Sequence, residues 1–337
     1  MPDLEDQRLL HALQLHPRIP WSRLGPVLGL DPGALSRRWT RLVSGGLAWT
    51  SCFPIFEHGR ERLRTLALVE VQVSPGSRES TIRALGEHAE ILSIHCTSGE
   101  RDLYLTLAGP DVHGIDSFVD GTVATVPGIV RTRTTYVLRT FQQGSSWRFD
   151  ALTPEEAEEI RRTVPWTRRE ARLSTDYLRV IEALEDDARR SVTSIHEETG
   201  RSISSVSRAI DAITSNGWAA FRVDVAERAF GWHVSAMLWL RVPAGEVERV
   251  GTSLPSIRQA RFCASVAGHG DLAVTFWLQD LDELTDIELR LSRAFPGVEV
   301  VDRWVIPRVA KRSGHMLTAQ GLHDHAVRTS FPSWWED

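Results

Sequence analysis

The stretch Asp31-Pro32-Gly33-Ala34-Leu35-Ser36-Arg37-Arg38-Trp39-Thr40-Arg41 combines residue types and spacing that suit a specific chemistry. Asp31 is a good N-cap and Pro32 a good first helical residue. Leu35, Trp39 and Leu42, at i, i+4 and i+7, give the helix one apolar stripe. That leaves Pro32, Gly33, Ala34, Ser36, Arg37, Arg38, Thr40 and Arg41 facing outward. Small residues in the first turns, followed by arginines, suit a helix that enters the major groove of double-stranded DNA. On that reading Arg37 meets a base edge while Arg38 and Arg41 hold phosphates. A solvated helix face in a protein–protein module has the same composition, so both readings stay open. Ser204, Ser205, Ser207 and Arg208 form a weaker second candidate face. Ala209 stands where the first stretch has Arg38, and Asp211, an anion that repels phosphate, where it has Thr40.

A second chemistry belongs to two loops, Gly99-Glu100-Arg101-Asp102 and Gly268-His269-Gly270-Asp271. Glycine permits a tight turn and leaves backbone amides free for a small anionic or zwitterionic effector. A plain hairpin turn explains the same glycines. His315, His323 and His325 lack the i, i+4 spacing of a helical metal site, so no metal is expected. Trp39, Trp239, Trp277 and Trp304 fall on core-facing stripes. With no nucleophile or acid–base constellation, no catalytic residue and no cofactor are assigned, and the expectation is that the chain is not an enzyme.

The elements that carry these residues occur twice. A shift of 171 superposes Leu13 on Leu184, Arg18 on Arg189, Gly29 on Gly200, Arg37 on Arg208 and Gly46 on Gly217. A shift of 169 superposes Gly99 on Gly268, Asp102 on Asp271, Thr106 on Thr275, Asp111 on Asp280 and Pro127-Gly128 on Pro296-Gly297. The matches fall on turn glycines and apolar positions, where two copies of one fold agree. Each copy begins with helical stripes, one on Leu9, Leu10 and Leu13, the other on Val180, Ile181 and Leu184. Two further short helices and a strand follow, as in a winged helix-turn-helix. The next segment reads strand–helix–strand–strand–helix–strand, from Leu66 to Phe141 and again from His233 to Pro307. That βαββαβ order is ferredoxin-like. The expected fold class is α+β, with this pair of domains present twice.

The expected domains are a first helix-turn-helix (1–58), a first ferredoxin-like effector and oligomerisation domain (62–143), and a linker (144–172). A second helix-turn-helix, intact or degenerate (173–226), a second ferredoxin-like domain (230–312) and a loosely ordered tail (313–337) follow. Thr153-Pro154-Glu155-Glu156 in the linker is a capping box that starts a short helix.

Net charge is −5, mildly unfavourable for a nucleic-acid binder, but residues 1–52 hold six arginines against four acids. No apolar run reaches the ~20 residues of a membrane span. The acidic start, Asp3, Glu5 and Asp6, is unlike a signal peptide. Cys52, Cys96 and Cys263 form no disulfide framework, and a cytoplasmic protein with no membrane partner is expected.

Taken together, "GLDPGALSRRWTRLVSGGL", "CTSGERDLYLTLAGPD" and "VPGIVRTRTTYVLRTF" resemble the recognition helix, sensor loop and last strand of the Lrp/AsnC (feast/famine) transcriptional regulators. The resemblance spans residues 3–142, and more weakly 173–312. It implies a sequence-specific regulator of double-stranded DNA, answering an amino-acid-like effector and self-associating through its sensor domains as a homodimer or higher oligomer. Ordinary members carry one copy of each domain, so the tandem form departs from the family. The alternatives are an enzyme resembling siroheme decarboxylases, which use two AsnC-like modules, and a ligand- or partner-binding paralogue without DNA contact.

Overall fold

A computed structural model describes residues 2–54, 65–164 and 175–328. The chain divides into two compact units, one of residues 1–61, 148–226 and 328–337, the other of residues 62–147 and 227–327.

The first unit holds both helix-turn-helix modules. In the first, α1 (Leu4–Leu15), α2 (Trp21–Leu28) and α3 (Pro32–Ser44) precede β1 (Ala48–Pro54). In the second, α7 (Thr175–Glu182), α8 (Val192–Thr199) and α9 (Ile203–Asn216) precede β6 (Ala219–Val225). Asp31 accepts from Ala34 N at the start of α3, and Ser202 from Ser205 N at the start of α9. Gly29 and Gly200 end the second helices of each module at φ 69°, a left-handed conformation that glycine adopts without strain. Between the modules, α6 (Pro154–Arg162) begins at a complete capping box on Thr153 and Glu156. It joins the first module: Arg8 pairs with Glu156 at 2.5 Å, and His11 Nδ1 accepts from the Ala151 and Leu152 amides at 3.0 and 3.2 Å.

The two modules are related by an internal pseudo-dyad. The wing strand β1 pairs with β6 of the other copy, in a register running from Ala48↔Val225 through Ser51↔Arg222 to Pro54↔Ala219. Under the 171 shift this register maps onto itself, as an isologous interface requires. The same symmetry governs two arginines. Arg18 donates to the carbonyls of Ala188 and Arg190, and Arg189 to those of Pro17 and Ile19. Arg189 also lies 3.9 Å over the Trp21 ring.

The second unit is built from the sensor domains. The first contributes β2 (Thr65–Val73), α4 (Arg78–Gly86), β3 (Ile91–Cys96), β4 (Leu103–Gly109), α5 (Val112–Phe118) and β5 (Ile129–Gln142). The second helix of this domain is α5 followed by a π-turn, Val119–Val123. The second contributes β7 (Val234–Arg241), α10 (Val247–Ser253), β8 (Ala260–Ala267), β9 (Leu272–Leu278), α11 (Asp282–Ala294) and β10 (Glu299–Ile306). Both sheets are antiparallel, ordered β5-β2-β4-β3 and β10-β7-β9-β8, each with its own apolar core.

Each final strand crosses to the other copy. β5 pairs with β2 along its first half and with β8 along its second. After Pro307, which has no amide to donate, β10 resumes as β11 (Arg308–Arg312) and pairs with β3. The β8 edge of one sheet and the β3 edge of the other are thereby covered. The segment from residue 313, expected to be loose, adds β12 (His315–Leu317) and β13 (His323–Ala326) to this sheet. Residues 329–337 lie outside the described residues. Lys311, the chain's one lysine, is fully buried on β11, and its Nζ donates to the carbonyls of Gly86 and His88 at 2.8 Å each. Burial holds its pKa down, to about 8, against the opposing pull of Glu87 and Glu90.

Candidate functional site

On α3, Pro32 and Arg37 are exposed, whereas Gly33, Ala34 and Ser36 are half-buried. Arg37 extends into solvent and comes no closer than 4.0 Å to Asp31. Trp39 is half-buried rather than part of the core. Arg38 and Arg41 are engaged by acids of α1. Arg38 bonds Asp3, Glu5 and Asp6 at 2.5–3.0 Å, and Arg41 bonds both oxygens of Asp6 at 2.7 and 2.8 Å.

On α9, Ser204, Ser207 and Arg208 are exposed, and Ser205 is half-buried beside Arg201. Arg208, the counterpart of Arg37 under the 171 shift, folds back onto the Ser204 carbonyl at 3.3 Å. Ala209 is buried in the module's core, so its position faces inward rather than toward a nucleic acid. That removes half of the case against the second face. Asp211 remains exposed on it.

The two sensor loops prove dissimilar. Asp102 accepts from the Val73 amide and Asp271 from the Val242 amide, both at 2.8 Å, so each carboxylate pins its loop to its own sheet. Gly99 turns at φ 90° into open space, and Glu100 is exposed. Arg101 instead turns inward. It is 9% exposed, pairs with Glu70 at 2.9 Å and Asp302 at 3.0 Å, and lies 4.0 Å over Trp304. In the other loop Gly268 packs beside Thr135, His269 stacks on Trp239 with centroids 4.7 Å apart, and buried Gly270 takes the place of Arg101.

Sequence reasoning missed Asp3, Glu5 and Asp6 as partners of α3, and Glu70 and Asp302 as partners of Arg101. Trp239, Trp277 and Trp304 are buried in the sensor unit as their stripes predict, but the partners they gather were not foreseen. There Tyr104 contacts both His95 and Trp304, and Trp304 contacts Trp239, with centroids 5.3–5.5 Å apart. Arg261 lies over Trp277 and Trp147, and Arg312 pairs with Glu227 at 2.9 Å. Burial, with help from the Arg312 charge, lowers the His95 pKa to about 3, and its Nδ1 has no hydrogen-bond partner among the described residues. Among the described residues no cluster of three or more His, Cys, Asp or Glu is placed to hold a metal, and no helix is long and apolar enough to cross a membrane.

Two family models match this architecture: the AsnC-type helix-turn-helix domain over residues 3–43 and the Lrp/AsnC ligand binding domain over 66–147. The chain thus carries a Lrp/AsnC-family module in its first half, and its second half repeats the same fold. Among curated proteins it is similar to the HTH-type transcriptional regulator Ptr1 of Methanocaldococcus jannaschii, 26% identical over 145 residues, 43% of this chain and 97% of that protein. Among solved structures it is similar to the siroheme decarboxylase NirDL, with TM-score 0.56 and 14% identity, covering 91% of this chain and 92% of that one. NirDL in complex with an iron-uroporphyrin III analogue matches at the same TM-score over 95% of this chain. These matches correct one expectation. The exclusion of enzymes does not stand, because an enzyme shares this fold over nearly the whole chain.

Proposed function

We propose that the chain is a DNA-binding transcriptional regulator whose two helix-turn-helix modules act as a built-in dimer on a pseudo-palindromic duplex. The carrying observation is the matched pair Arg37 and Arg208, both exposed on recognition helices related by the internal dyad. A guanidinium at that place can bond guanine O6 and N7 together, and dyad-related heads read dyad-related half-sites. The small neighbours Pro32, Gly33, Ala34 and Ser36 let α3 approach the bases, and Ser204, Ser205 and Ser207 offer hydroxyls from α9. In this reading the loops at Gly99–Asp102 and Gly268–Asp271 receive an amino-acid-like effector, and chains associate further through their sensor units. Selection of bound DNA from a random library, followed by anisotropy titrations, tests the reading. Arg37→Ala and Arg208→Ala should each relax discrimination at one half-site by about 1–3 kcal/mol. If both variants bind the enriched duplex as the unsubstituted protein does, the assignment fails.

A second reading, a tetrapyrrole-handling enzyme, is favoured by the whole-chain likeness to NirDL and by neutral His95 in an interior rich in tryptophan and arginine. A shifted Soret band on adding iron uroporphyrin would support it, and an unshifted band would count against it.

A further inference from the structure

The acids on α1 do more than start a helix. Asp3 and Asp6 form a reciprocal capping box, yet they also reach across to α3 together with Glu5. Six hydrogen bonds of 2.5–3.1 Å bind Arg38 and Arg41 to this trio, four from Arg38 and two from Arg41 to the two Asp6 oxygens. Asp6 is 1% exposed, whereas half of the Arg41 side chain remains open to solvent. A cleft of about 520 Å³ opens over the network, lined by Asp3, Asp6, Ala34, Arg37, Arg38 and Arg41. A backbone phosphate could therefore reach these arginines, but three carboxylates already face two guanidiniums.

The second module supplies an internal comparison. Under the 171 shift, Ala209 and Ala212 replace Arg38 and Arg41, and Ser174 and Tyr177 replace Asp3 and Asp6. Tyr177 packs on Trp218 instead, and Asp176, the counterpart of Glu5, pairs with Arg201. Both arginines and two of the three acids are absent together, and the remaining acid, Asp176, is paired elsewhere, as expected of groups that work as one unit.

We infer that Asp3, Glu5 and Asp6 are specificity-determining residues of the α3 face, a carboxylate clasp that withholds Arg38 and Arg41 from sequence-blind phosphate contact. The inference rests on the DNA-binding reading above. Phosphate attraction is nearly the same for every sequence, whereas base-edge contacts are not. Neutralising Arg38 and Arg41 lowers binding to all duplexes alike and leaves discrimination to Arg37. The clasp thereby raises the ratio of specific to non-specific affinity at the expense of total affinity.

The test uses the full chain with Asp3→Asn and Glu5→Gln together. Asparagine caps a helix as well as aspartate, both changes keep side-chain shape, and buried Asp6 is left in place. The probes are a duplex enriched from a random library by the unsubstituted protein and a scrambled duplex of equal composition, titrated by anisotropy from 50 to 200 mM NaCl. Affinity for the scrambled duplex should rise severalfold, and the slope of log K against log salt should steepen by up to about 0.9, for the one guanidinium, Arg38, that these two acids hold. The ratio of enriched to scrambled affinity should fall. Glu5→Gln alone, at a half-buried site, should give roughly half the change in slope. Unchanged or weaker binding of the scrambled duplex by a variant with native circular dichroism overturns the clasp. Failure of the unsubstituted protein to enrich any duplex overturns the DNA-binding reading, while the same salt titrations of both proteins on a duplex of random sequence still decide the clasp.

Discussion

Substituting Arg101 probes how the sensor unit is held together. Its guanidinium pairs with Glu70, itself 7% exposed, and with Asp302, 201 residues away in the chain. Charges about 4 Å apart at an effective dielectric near 20 attract by about 4 kcal/mol. The penalty of desolvating both ions offsets part of this, so a coupling of about 2–3 kcal/mol is expected between Arg101 and Glu70. Arg101→Met should destabilise the unit by about 3–5 kcal/mol, because Glu70 is left buried without its counter-charge. Glu70→Gln should be milder, since Arg101 keeps Asp302 and the Trp304 ring. The double variant should then be less damaged than the sum of the singles by the coupling energy. Hydrogen exchange at the β2 and β4 amides reports this unit without the helix-turn-helix unit contributing. Additivity within about 0.5 kcal/mol, or a loss below about 1 kcal/mol for Arg101→Met, would refute the reasoning.

Two further outcomes follow from single sites. Burial, reinforced by Arg148, lowers the His11 pKa from 6.5 to about 4, while its Nδ1 accepts two backbone amides. The folded state thus binds the proton more weakly than the unfolded chain. Stability from His11 is full above pH 6.5 and is lost as pH falls toward 4, by up to about 2–3 kcal/mol after solvent screening. Thermal midpoints at pH 7 and 5 check this, and the pH effect should shrink in His11→Gln. At Gly251 on α10, an added Cβ would stand well inside van der Waals contact with the Phe141 ring of β5. Gly251→Ala should therefore cost about 1–2 kcal/mol in urea unfolding despite alanine's better helix propensity, and Phe141→Leu should recover part of the loss.

The legible parts of the sequence were those encoded by neighbours along the chain. The glycine pairs at 29/200 and 46/217, the caps at Asp31 and Thr153, and the βαββαβ order all rest on contacts within a few residues. Leu35 and Leu42 of α3 are buried as their spacing predicts and Trp39 only half so, but a helical period does not say what the outer face meets. Arg38 and Arg41 were therefore assigned to a phosphate, and the fold gives them carboxylates more than thirty residues upstream.

The duplication itself was written in the sequence, because turn glycines and apolar positions recur wherever a fold recurs. How the two copies use each other was decided by tertiary structure alone. Strand alternation marks which side chains are buried, but an edge strand offers the same backbone groups to any partner. Only the assembled fold shows that β1 meets β6, that β5 meets β8, and that the run beyond Pro307 returns to β3. The same holds for the loop arginine at 101: its type was visible from the start, and its burial between two carboxylates was settled by a strand two hundred residues on.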